Sequence, residues 1–323
     1  MTLRILLTGK NGQVGSELAR LLPSLGKFTA VGREELDLAK PGDIRRTIAQ
    51  LRPDIIVNAA AYTAVDQAER EEGLARAINA DAPAVIAEEA RKIGAFLIHY
   101  STDYVFDGGK RSPYIEDDPT NPLNAYGRTK LEGEEAVRAS GVPHLILRTA
   151  WVYATSGKNF LLTILRLATT REELRIVNDQ FGAPTSARSI ALATARLLEE
   201  SLVSAPRPDG ASSLTQRAGT YHLTAAGETT WYEFAVAILQ CLESERFRVP
   251  PNTSPVRADW LATATAGRAV MAKRIVPITT ADYPTPARRP AYSVLSNVRF
   301  AATFGFALPD WRSQLGDTVE TRP

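Results

Sequence analysis

The sequence predicts a doubly wound, parallel α/β sheet accompanied by a smaller α/β domain. Three observations predict it. Short apolar runs alternate with helix-length amphipathic stretches through the first half of the chain. A glycine-rich turn joins the first run to the first helix, and after Trp151 the alternation loosens. The 323 residues are enough for one large or two modest domains, and the 44% apolar and 23% charged shares are those of a soluble globular chain.

The first run, Leu3 to Leu7, is continuous and apolar, as a strand buried on both faces requires. Thr8-Gly9-Lys10-Asn11-Gly12-Gln13-Val14-Gly15 follows, then Val14, Leu18, Leu21, Leu22 and Leu25 at helical spacing. Glycines at 9, 12 and 15 therefore fall between a strand and a helix. There they permit a tight turn and close approach of backbone to a pyrophosphate held at the helix N-terminus, the Rossmann-like device for a dinucleotide. Phe28 to Val31 reads as the second strand. Asp54 to Asn58 reads as a later one, ending in Ala59-Ala60-Ala61-Tyr62-Thr63. Ile78 to Ile93 is a helix, and Ala95 to Tyr100 another buried strand, ending in Ser101-Thr102-Asp103. Ligands of such sheets sit at the carboxyl ends of the strands, where the glycine loop, Ala59 to Thr63 and Ser101 to Asp103 all fall.

The end of the second strand bears on the choice of cofactor. An acidic residue there suits the free ribose of NAD, but this chain reads Val31-Gly32-Arg33. A guanidinium beside a glycine suits a 2′-phosphate, so NADPH is expected, with NADH the second candidate because Glu34 and Glu35 follow closely. Tyr126-Gly127-Arg128-Thr129-Lys130, if helical, sets Tyr126 and Lys130 on one face at i and i+4. A phenol titrates near pH ~10, and a neighbouring ammonium is expected to lower that value and make the pair an acid–base device for a carbonyl. Thr102, at a strand end, is placed to hydrogen-bond the same carbonyl.

Composition excludes several classes. A net charge of +2 without a basic stripe gives no reason to expect nucleic acid. No apolar run approaches the ~18 residues of a membrane span, and Met1 to Leu7 is too short for a signal sequence. Cys241 is the only cysteine, so no intrachain disulfide can form, and a cytoplasmic location is expected. His99, His144 and His222 flank apolar runs without carboxylates or thiols at ligand spacing, so no zinc site is expected. In the second half, Asn159 to Leu167 and Arg188 to Glu200 read as amphipathic helices. Thr230 and Glu233 read as a capping box opening a helix to about Leu242.

Glycine loop, strand-end Thr102 and Tyr126-x-x-x-Lys130, in this order, resemble the extended short-chain dehydrogenase/reductase superfamily. Within it the chain resembles the dTDP-4-dehydrorhamnose reductase family. The matching blocks run from Gly9 to Gly15, Arg52 to Asp66, His99 to Phe106, Pro122 to Gly127, Arg148 to Tyr153, Asn178 to Thr185 and Tyr283 to Pro290. The gaps, Ser201 to Gly219 and Asn252 to Ile278, read as surface insertions rich in Pro, Ser, Ala and Thr.

The resemblance implies NAD(P)H-dependent reduction of the C4 ketone of dTDP-6-deoxy-L-lyxo-4-hexulose to dTDP-L-rhamnose. It makes Tyr126 the general acid, with Lys130 lowering its pKa and holding the nicotinamide ribose, and Thr102 orienting the ketone. It places Asp103 and Trp151 against the sugar. Along the cofactor it places Gly9, Gly12, Gln13, Val14, Gly15, Arg33, Asp37, Leu38, Ala61, Tyr62 and Thr63. Residues 1–145, rejoined by parts of about 170–200 and 220–245, are expected to bind the cofactor; the remainder of 146–323 is expected to bind the sugar nucleotide. Some relatives are dimers bridged by magnesium on interface carboxylates. Glu17 stands at one matching place, but Arg188 and Val298 at the others cannot serve as hard-cation ligands. A monomer, or a dimer formed by other contacts, is therefore expected. Arg288 and Arg289 are candidates for the substrate pyrophosphate or for a solvated loop.

Two alternatives are a non-catalytic NADP(H)-binding regulator on the same fold and a reductase of another nucleotide 4-ketosugar. Dehydration is disfavoured because Tyr104 follows Thr102-Asp103 where a second acid would stand. Tyr104-Val105-Phe106 also departs from the Val-Tyr-Gly of epimerases.

Overall fold

A computed structural model describes residues 3–203, 214–243 and 256–320. Six strands, β1 (Arg4–Thr8), β2 (Lys27–Val31), β3 (Ile55–Asn58), β4 (Phe96–Thr102), β5 (His144–Thr149) and, further along, Gly219–His222, form one wholly parallel sheet. Between the last two in sequence lies β6 (Glu173–Val177), so Gly219–His222 is β7, and the spatial order is β7-β5-β4-β3-β1-β2. β2 and β3 flank β1 on opposite sides, so the order reverses at β1. That is the switch point at which doubly wound sheets take their ligands.

Helices cover both faces, which is why the central strands read as unbroken apolar runs. On one face α1 (Gln13–Leu21) lies against a long helix, Ala187–Val203, burying Leu18, Leu22, Ile190 and Leu197 on Ile5, Leu7 and Ile98. The other face carries α2 (Pro41–Leu51), α3 (Ala82–Ile93) and α4 (Ala125–Ser140) over Leu6, Ile56, Leu97 and Ile146. α3 is preceded by a π-helical turn, Ala77–Asp81, so the single helix expected from Ile78 to Ile93 changes its winding there.

A separate apolar cluster belongs to the second half. It joins α5 (Phe160–Ala168), α7 (Trp231–Glu243), α8 (Val256–Thr265) and α9 (Trp311–Glu320), the helix Ala187–Val203 being α6, with the parallel pair of β6 and β8 (Arg274–Ile278). The span 220–245 is thus shared out: Gly219–His222 extends the large sheet, while α7 buries Phe234 and Ile238 in the second cluster. Of the two expected surface insertions, residues 204–213 and 252–255 lie outside the described residues. The rest is structural. Leu214 is 1% exposed and Trp260 9%, and β8 pairs with β6 along its whole length, its β-branched Ile275, Val276 and Ile278 suiting a partly buried strand.

Candidate active site

The cleft at the switch point has a volume of about 590 Å³. The glycine loop, the β2 end, Ala59 to Ala64 and the start of α4 line it. Gly9 takes φ +77, and a Cβ on it would sit 2.7 Å from Ala60; one on Gly15 would sit 1.9 Å from the Gly9 carbonyl oxygen. Those two glycines are demanded by the protein's own packing. Gly12 is different: it has φ −78 at the α1 N-cap, and its added Cβ would come no nearer than 3.3 Å to protein. No side chain caps α1 and no acid occupies its first turn. Its uncapped N–H groups and Gly12 lie at the cleft, where a helix N-terminus favours an anion.

Gln13 also lines the cleft, and its amide ties the loop to the second half: Nε2 donates to the Val152 carbonyl at 3.4 Å and Oε1 accepts from Asn159 at 2.8 Å. At the rim, Arg33, Asp37 and Leu38 line the cleft with Ala61, Tyr62 and Thr63 opposite, and Val14 does so beside Gln13. Gly15 is buried behind the loop and takes no part in the wall. Glu35 is withdrawn from any ribose by its own bonds, accepting from Gly32 N–H at 2.8 Å and pairing with Lys10 at 2.5 Å. Arg33 makes no ion pair among the described residues. Asp37 is occupied by its own turn, accepting from Ala39 N–H at 3.1 Å.

α4 begins where Asn124 caps it, its Oδ1 accepting from Gly127 N–H at 2.8 Å, while Glu69 accepts from Ala125 N–H at 2.7 Å. The helix then presents Tyr126 and Lys130 to the inner end of the cleft. Asn79, 1% exposed in the π-helical turn, fixes this end: it accepts from Tyr62 N–H at 2.8 Å and donates to the Tyr62 carbonyl and to Thr129 of α4. Thr102 and Asp103 lie beside Tyr126 at the end of β4, where the Thr102 hydroxyl donates to Asp103 Oδ1 at 3.0 Å. Thr149 also lines the cleft wall, and its buried hydroxyl has no hydrogen-bond partner among the described residues.

The electrostatics reverse one expectation. The Tyr126 phenol is not lowered by Lys130 but pushed up to about 12, first by burial, against which the neighbouring Thr102 hydroxyl acts only in part. Lys130 is itself pulled down to about 8 by burial, partly restored by Glu134. Its nitrogen donates to the Tyr100 carbonyl at 2.7 Å. Desolvation dominates both shifts, because covering either group from water disfavours its charged form. Burial likewise raises Asp103 to about 6.

Trp151 follows β5 in the left-handed region at φ 47. Its indole stacks on Trp231 at 3.4 Å between centroids, and a Cβ on Gly182 would come within 2.3 Å of it. Trp231 in turn donates to Gln180 at 3.2 Å. The Gly182–Trp151–Trp231 layer had no local signal, since its members are far apart in sequence. Ser101, from the expected strand-end stretch, and Thr149 also line the cleft, and Lys158 is a further cleft residue that no motif announced. Arg289 is neither solvated nor free for a pyrophosphate: it forms a two-pronged pair with Asp66, at 3.0 and 2.8 Å, and fastens the Tyr283–Pro290 loop beside the Asn124 cap. The Thr230 hydroxyl caps Glu233 N–H, but the Glu233 carboxylate turns to the Thr229 hydroxyl, so the reciprocal half of the capping box is missing. For magnesium the side chains do not fit: Glu17 pairs with Arg20, Arg188 is exposed, and Val298, 74% exposed, offers no oxygen.

A dinucleotide cleft ending in a buried lysine and a half-buried tyrosine fits an NAD(P)-dependent oxidoreductase of the short-chain type. The family model described as RmlD substrate binding domain matches residues 3–322. A dTDP-4-dehydrorhamnose reductase of Burkholderia thailandensis is 50% identical over 314 residues, 97% of each chain. Among solved structures, the dTDP-4-dehydrorhamnose reductase of Clostridium acetobutylicum superposes with a TM-score of 0.83 at 34% identity, covering 98% of this chain and 99% of that one. The Bacillus anthracis reductase, solved in complex with NADP, gives 0.82 at 31% identity over 99% and 100%. The chain belongs to the dTDP-4-dehydrorhamnose reductase family.

Proposed function

We propose that the protein reduces the C4 ketone of dTDP-6-deoxy-L-lyxo-4-hexulose to dTDP-L-rhamnose, with NADPH as the preferred reductant. The observation that carries this reading is a neutral tyrosine and a buried lysine, one helical turn apart, at the inner end of a dinucleotide cleft. NADPH, when bound, supplies the hydride that adds to C4.

The chain's own residues do the rest. Gly12 and the α1 N-terminus hold the pyrophosphate, Val14, Leu38 and Ala61 to Thr63 line the adenosine-to-nicotinamide path, and Arg33 takes the 2′-phosphate. The Thr102 hydroxyl turns from Asp103 to donate to the ketone oxygen and orients it. As the carbonyl electron pair moves onto oxygen, Tyr126 transfers its phenolic proton there, leaving an alcohol and a phenolate. A phenol held near 12 is protonated at neutral pH, as an acid must be. Lys130, protonated about as often as not near pH 8, returns a proton to the phenolate and holds the ribose hydroxyls. Asp103 and the Trp151 layer bound the sugar, and the second apolar cluster carries that side of the site.

We read the protein as a monomer, or a dimer without a metal bridge, and as a cytoplasmic enzyme, in keeping with its single cysteine; no described helix is long and apolar enough to cross a membrane.

The test is a coupled assay following NADPH absorbance, with dTDP-4-keto-6-deoxy-glucose and its 3,5-epimerase supplied. Oxidation that needs the epimerase is expected. Oxidation without it would redirect the assignment to a reductase of the unepimerised ketosugar, and none with either nicotinamide would overturn the catalytic reading.

A further inference from the structure

Beneath the cleft a line of buried polar side chains crosses three neighbouring strands. Lys130 Nζ lies 3.4 Å from His99 Nε2. On the other side of that ring, His99 Nδ1 is 3.0 Å from Asn58 Nδ2, and Asn58 Oδ1 accepts from the Thr8 hydroxyl at 2.6 Å. Thr8, Asn58 and His99 are direct register partners on β1, β3 and β4. None of the four exceeds 2% exposure, yet Lys130 and Thr8 both border the cleft.

The donors and acceptors of this line are not independent. Burial, then the Lys130 charge, then His144 hold His99 far below its ordinary range, so the ring is neutral, with one N–H and one lone pair. With Asn58 Nδ2 facing it, Nδ1 must accept, and the proton sits on Nε2, aimed at Lys130. An amine can accept that N–H; an ammonium, which has no lone pair, cannot. If the amide turns end for end, Asn58 Oδ1 takes an N–H from Nδ1, Nε2 becomes an acceptor for an ammonium hydrogen, and the Thr8 hydroxyl accepts instead of donating. Each polarity keeps every bond, and each matches one protonation state of Lys130.

We propose that His99 is a positioning residue whose tautomer is locked to the proton on Lys130, with Asn58 and Thr8 turning in step. The Nε2–H form goes with the amine, the Nδ1–H form with the ammonium, and the state of the lysine is thereby carried to the base of the glycine loop. This rests on the reading of Lys130 as the group that re-protonates Tyr126. The other charged or titratable groups near Lys130 and His99 are Tyr126 and Glu134 on α4, Tyr100 and Asp103 at the β4 end, and His144 and Arg148 on β5. Arg148 is tied to Glu134 by two bonds, at 2.9 and 2.7 Å.

The chain has three histidines, so side-chain nitrogen resonances of the protein labelled at histidine can be assigned. They are to be followed without substrate from about pH 6 to about pH 10, so that failure of this inference is separate from failure of the reductase reading. The expected result is exchange of the protonated nitrogen of His99 from Nδ1 to Nε2 with rising pH, at the midpoint of the Lys130 titration. A single tautomer throughout, while Lys130 titrates, overturns the proposal. In Lys130→Met the tautomer should stop responding to pH; a persisting switch would overturn it as well. His99→Leu should move the Lys130 limb of the kcat profile by about half a pH unit or more, with KM for NADPH within about twofold. A limb left in place would mean that His99 merely fills space.

Discussion

At the inner end of the cleft Lys130 is 2% exposed, one helical turn from Tyr126, whose phenol neighbours the Thr102 and Asp103 side chains. At the outer rim Arg33, Glu34 and Glu35 stand in water. Tyr126, Lys130 and Asp103 are shifted far from their ordinary values, whereas of these rim residues only Glu35 is held by local pairs. Glu35 is lowered by Lys10 and the Gly32 N–H, but it remains a surface carboxylate. Burial, not proximity alone, shifts the inner groups, while charges at the rim are screened by solvent.

The comparison breaks most sharply at Tyr126. Tyr126→Phe is expected to cut kcat by about 10²–10⁴ while NADPH titration by fluorescence still shows binding; near-normal turnover would move the acid elsewhere.

Lys130 gives the next effect, on stability. Its folded value of about 8 lies below the 10.5 of an exposed lysine. Across that window the unfolded chain holds a proton that the folded chain has shed, so stability rises with pH, by about 3 kcal/mol if the full shift is expressed. Denaturation at a series of pH values should show this rise, and Lys130→Met should flatten it.

The two kinds of glycine sharpen the contrast between fold and ligand. Gly15→Ala must displace the Gly9 carbonyl and should destabilise the fold by about 1–3 kcal/mol. Gly12→Ala should leave the melting temperature nearly unchanged and weaken NADPH binding, measured by calorimetry. Equal melting losses for both would remove the ligand argument for Gly12. Smallest is the rim: Arg33→Ala should raise KM for NADPH by about fivefold and leave NADH almost unaffected, as one exposed charged contact allows.

Much of this was legible in the chain. The glycine loop lies between β1 and α1, Ala59 to Thr63 ends β3 at the cleft, and Tyr126 and Lys130 share the cleft face of α4. Each of these is a local pattern, set by strand and helix periodicity and by where glycine permits close approach. What no local pattern reaches is the packing that decides the chemistry. The sign of the Tyr126 shift depends on how deeply the phenol is covered, and Arg289 depends on Asp66, 223 residues away.

The Trp151–Trp231 stack and the Lys130–His99–Asn58–Thr8 line are assembled only when separate strands and helices close on one another. The sequence by itself thus determined the sheet, the glycine loop and the groups proposed to react, because these follow from short-range periodicity and residue type. Tertiary structure alone decided their protonation and their partners, because desolvation and long-range hydrogen bonding exist only in the folded interior.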